Sequence, residues 1–61
     1  MRFRDASKLH KGDEVIIKTT GESRYVLYVM TLSNGKLMID TCKSLDRYDG
    51  DYRLYFHTEV K

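Results

Sequence analysis

A chain of 61 residues with eleven basic and nine acidic side chains, a net charge of +2, is too short for a second domain and too evenly charged to declare a polyanion partner. Its single cysteine, Cys42, excludes an internal disulfide, and with no C-x-x-C or H-x-x-x-H pair no metal or cofactor is expected. The longest apolar run, residues 25–30, falls far short of the roughly 20 residues that a membrane helix needs, so no membrane partner is expected.

The first eight residues read as a flexible basic arm ahead of a single domain. Arg2, Arg4, Lys8 and Lys11 against Asp5 place the positive charge of the chain near its N-terminus. Residues 1–12 lack the apolar stretch of a signal peptide, and a lone thiol suits a reducing compartment, so a cytoplasmic location is the expectation. Residues 13–19 then alternate Val15 and Ile17 against Glu14, Ile16 and Lys18, which predicts a first strand. Thr20, Gly21, Glu22 and Ser23 form a turn cluster before a second strand over 24–32.

The strongest local signal is Asn34-Gly35 between two apolar runs, which predicts a two-residue type I′ hairpin into a third strand over 36–42. That turn sets Leu32 opposite Leu37, Met30 opposite Ile39 and Tyr28 opposite Thr41 on the core face. Asp49-Gly50 predicts a second tight turn, between strands over 45–48 and 51–58, with an irregular or 3₁₀ turn at 44–48 as the competing reading. Tyr52, Leu54 and Phe56 then point inward, and Asp51, Arg53, Tyr55 and His57 outward. The expectation is an all-β fold of five short strands in consecutive hairpins, curled into a small barrel to limit free edges.

The run Leu9-His10-Lys11-Gly12-Asp13-Glu14-Val15-Ile16-Ile17 resembles the strand entry of SH3-like barrels of the KOW and Tudor type. The resemblance implies a five-stranded SH3-like barrel that binds nucleic acid or protein tails.

His10, His57 and Cys42 lie outside motif spacing of one another, which argues against an enzyme. Asp46, Asp49 and Asp51 fail the register of an EF-hand loop, so a polar hairpin tip is the reading there. Two partners remain open. Nucleic acid would use Arg2, Arg4, Lys8, Lys11 and Lys18 with Tyr48, Arg53 and Tyr55, whereas a protein would use an aromatic face or an open strand edge.

Overall fold

In a computed structural model, which describes residues 1–45 and 51–61, four strands follow one another in an antiparallel meander. They are β1 (Glu14–Ile16), β2 (Ser23–Thr31), β3 (Leu37–Cys42) and β4 (Tyr52–Phe56), preceded by a one-turn helix α1 (Phe3–Ala6) and followed by a 3₁₀ turn (His57–Glu59). The fold is mostly β. The sheet is open, with β1 and β4 at its edges, and is not the closed five-stranded barrel expected.

Alternation places Val15 on β1 and Leu37, Ile39 and Thr41 on β3 against the interior, as their period of two requires. With Ile17, Val26, Ala6 and Val60 they form the core, and Met1, Leu9, Val29 and Tyr55 pack around it. A single helical turn has little stability of its own, so α1 is held by tertiary contacts. Ala6 is buried in the core, and the Phe3 ring meets the His57 ring edge-on at 5.7 Å. The segment expected as a flexible arm therefore lies against the body. The Met1 amine donates to the Val60 carbonyl, and the Met1 carbonyl lies 3.0 Å from Nδ1 of His57.

After β4 the chain turns because Glu59 reaches back, its Oε1 accepting from the Phe56 amide at 3.0 Å. This brings Val60 to an isolated antiparallel bridge with Ile17, closed by Lys18 N–H to Glu59 C=O and Lys61 N–H to Ile16 C=O, each 2.9 Å. The two ends of the chain thus meet at one corner of the sheet.

Two local features change the predicted β2 register, and the first of them inverts the face of residues 28–31. The Gly35 amide donates to the Leu32 carbonyl, Leu32 N–H donates to Lys36 C=O, and positive φ occurs at Gly35 but not at Asn34. This is the pattern of a three-residue loop, a type I turn completed by a left-handed glycine, and not the two-residue type I′ turn. Pairing shifts by one residue, so Val29 faces Ile39, Met30 faces Met38 and Thr31 faces Leu37. A bulge at Leu27 shifts it once more, and Val26 faces Thr41. Tyr28 and Met30, expected in the core, are exposed instead.

Strand β4 is corrected likewise. It pairs with β3, setting Tyr55 opposite Ile39 and Leu54 opposite Asp40. Tyr55 therefore packs on the core, whereas Tyr52 and Leu54, expected inside, are exposed. Leu45 lies in an exposed bend, and the rest of the expected 45–48 strand and the Asp49-Gly50 turn fall outside the described residues.

At Gly35, φ is +81° and an added Cβ would meet nothing within 4 Å, so backbone strain alone sets the cost of substitution. Gly35→Val is expected to lose about 1–2 kcal/mol, which in a domain this small lowers the melting temperature by about 4–8 °C per kcal/mol. An unchanged melting temperature would exclude a left-handed residue there.

Candidate binding surface on the outer face of the sheet

The same register that buries Val26, Ile39 and Tyr55 assembles the opposite face of β2, β3 and β4 into three cross-strand rows. Tyr25, Cys42 and Tyr52 form one row, Tyr28, Asp40 and Leu54 the middle one, and Met30, Met38 and Phe56 the third. Eight of the nine positions are apolar or aromatic, and the ninth, Asp40, occupies the centre. Such residues suit strands, and here Cys42 is buried and Tyr25, Met38 and Phe56 are half-buried, but the others lie open to solvent. Tyr28 is 61% exposed, Leu54 56% and Tyr52 43%. At the rim, Lys36 Nζ stands 5.1 Å from the centre of the Phe56 ring, and Glu14 pairs across from Tyr25. Cys42 is buried within this face as a free thiol, a placement that raises no nucleophile to the surface.

The basic residues expected to contact nucleic acid lie elsewhere. Arg2, Arg4, Lys8 and Lys11 are exposed on α1 and the turn after it, the segment whose Ala6 and Leu9 cap the core side of the sheet. Lys18 is exposed where β1 meets the C-terminal segment. Arg53 sits on edge strand β4 with its side chain 66% exposed, 3.5 Å from Asp51 Oδ1. A contact this open adds little. Tyr55 is half-buried on the core, and Tyr48 lies outside the described residues. The expected basic cluster, with Phe3 beside it, and the exposed tyrosines Tyr28 and Tyr52 therefore occupy opposite sides of the sheet. His10 and His57 stay apart, and no group of three or more metal-ligating side chains occurs among the described residues. No described helix is long and apolar enough to cross a membrane.

One charged residue with a structural part escaped the sequence reading. Arg24 is fully buried, opposite Val15 on the core side of β2. Its Nε donates to Thr41 Oγ1 at 2.8 Å, its Nη1 to Glu22 Oε1 at 2.9 Å, and its Nη2 to the Asp51 carbonyl at 2.8 Å. Burial disfavours its charge, but the Glu22 and Asp51 carboxylates outweigh that and raise its pKa, so it stays protonated. The guanidinium fork thereby ties the β1–β2 turn to β3 and to the start of β4. Thr41 extends the chain of bonds by donating Oγ1–H to the Arg53 carbonyl at 2.9 Å. The parity of Arg24 with Val26 was the available signal.

No known family model matches this chain, and neither a curated protein nor a solved structure does.

Proposed function

We propose that this chain is a small non-enzymatic binding module that docks a protein partner through the outer face of its sheet. The observation that carries the reading is the uncovered patch around Tyr28, Leu54 and Tyr52, with a carboxylate at its centre. Uncovered apolar patches on small proteins mark interaction sites, and aromatic and methionine side chains are what interface cores favour. Asp40 makes no ion pair among the described residues and would repel a phosphate backbone. It calls for an arginine or lysine on the partner, set within an apolar surface.

An SH3-like architecture belongs to the same proposal. The meander of β1 to β4, the 3₁₀ turn and the bridge of Val60 to Ile17, which brings the C-terminal segment beside the end of β1, support it, although the sheet itself stays open. A reducing cytoplasm is the compartment that a buried free Cys42 fits.

A second reading, nucleic-acid binding, draws on the exposure of Arg2, Arg4, Lys8, Lys11 and Lys18. Once affinity capture supplies a partner, titration of the purified complex separates the two. Tyr28→Ala combined with Leu54→Asp is expected to weaken binding at least tenfold. Arg4→Glu with Lys11→Glu should change little, and affinity should depend weakly on salt. A nucleic acid that binds with a steep salt slope, lost in the Arg4/Lys11 variant and kept in the Tyr28/Leu54 variant, would replace the protein reading.

A further inference from the structure

The two edges of the sheet are not equivalent. At β1 the C-terminal segment covers the edge through the bridge of Val60 to Ile17, with Lys18 N–H donating to Glu59 C=O and Lys61 N–H to Ile16 C=O. Among the described residues no strand pairs with the outer side of β4. Its register with β3 runs over five residues without a bulge, and it contains neither proline nor lysine, the usual devices that keep an open edge from pairing. A covered edge opposite an open one excludes a head-to-tail chain of copies and leaves a closed two-fold pair.

The hydrogen-bond alternation fixes which residues of β4 point outward. Val26 N–H donates to Asp13 C=O and Val26 C=O accepts from Gly12 N–H, each 2.8 Å, so Val26 turns its backbone toward β1. Tyr25 then bonds to Cys42, and Thr41, next to Cys42, bonds to Arg53. Leu54 therefore aims its N–H and C=O away from β3, and neither meets a partner among the described residues. Phe56 has the same parity, and its amide indeed goes to Glu59 Oε1 at 3.0 Å and not to β3.

Antiparallel pairing of β4 with a second β4 must set outward-pointing residues opposite one another, so its two-fold axis falls on Arg53, Leu54 or Tyr55. An axis at Arg53 sets two guanidinium groups face to face. An axis at Tyr55 needs the Phe56 amide, which Glu59 already holds. An axis at Leu54 meets neither obstacle. It pairs Leu54 with Leu54, sets Tyr52 of each copy beside Phe56 of the other on the outer face, and lays the Arg53 side chain, 66% exposed, against the Tyr55 ring across the junction.

We infer that two copies of this chain associate through antiparallel pairing of their β4 strands about a two-fold axis at Leu54, joining two four-stranded sheets into one. The inference does not rest on a protein partner at the outer face, and its test uses the full chain alone. An interface limited to one five-residue strand falls below the roughly 1,200 Å² of standard interfaces, so sedimentation equilibrium is expected to show a dimer with Kd on the order of 0.1–1 mM. The Leu54 amide should gain protection from hydrogen exchange as concentration rises. Leu54→Pro removes the outward N–H and leaves the bonds to β3 in place, whereas Leu54→Lys, at an exposed position, keeps the N–H and sets two ammonium groups opposite each other. Each should weaken association about tenfold or more, and Tyr28→Ala should leave it unchanged. A chain that stays monomeric at millimolar concentration, association that survives Leu54→Lys, or a dimer that protects the Tyr28 and Met30 side chains and not the Leu54 amide would each overturn the inference.

Discussion

Arg24→Ala is expected to destabilise the protein more than any other single change at a charged position, by about 3 kcal/mol. Removing one partner of a buried charge network costs roughly 3–5 kcal/mol, and the lower figure applies because Glu22 and Asp51 are partly exposed and regain water. Against a total stability of roughly 0.05–0.15 kcal/mol per residue, about 3–9 kcal/mol for 61 residues, such a loss removes between about a third and all of it. The mechanism has a second signature. Arg24→Lys should recover only a minor part, since one ammonium cannot reach Glu22, Thr41 and the Asp51 carbonyl together as the planar fork does. Urea denaturation of the two variants checks this, and an unchanged midpoint in Arg24→Ala would show that the guanidinium is not the tie between β2, β3 and β4.

Ile39→Ala should fall in the same range, roughly 2–5 kcal/mol, because Ile39 is fully buried at the centre of β3 with Val29 and Tyr55 opposite it on the two neighbouring strands. Leu54→Ala removes a side chain of similar size at a 56% exposed position and should stay within about 0.5 kcal/mol. The pair reports on the two sides of the sheet, since Ile39 faces the core from central strand β3 and Leu54 faces outward from edge strand β4. A larger loss at Leu54 than at Ile39 would invert the sheet.

The contrast between β3 and its neighbours explains which parts of the fold were legible in the sequence. Leu37, Ile39 and Thr41 alternate with Met38, Asp40 and Cys42, and the half of this pattern facing the core was readable from its period. In β2, the run from Tyr25 to Met30 is apolar or aromatic on both sides, so only pairing could assign a face. Pairing depended on whether Asn34-Gly35 closed a two-residue or a three-residue loop, and on a bulge at Leu27 that no residue type announces. Each feature moved the register by one.

The same ambiguity governed β4, where Tyr52, Leu54 and Phe56 seemed the better core set than Arg53 and Tyr55. Pairing with β3 decided against it. Arg24 was missed for another reason. Arginine is rarely buried, and its role rests on Glu22, Thr41 and Asp51 being brought together from three segments of chain. The exposed cations of residues 2–11 were recognised, but their placement across the sheet from Tyr28 and Tyr52 followed only from the packing of Ala6 and Leu9 over the core.

The proposed docking surface depends on which side chains the sheet turns outward, and solvent paramagnetic relaxation with a soluble neutral gadolinium chelate reads that residue by residue. Strong enhancement is predicted at the side chains of Tyr28, Met30 and Leu54, with little at Val26 and Ile39 and an intermediate value at Tyr55. Protection of Tyr28 and Leu54 together with strong enhancement at Tyr55 would contradict the account, since the proposed docking face would then be the core.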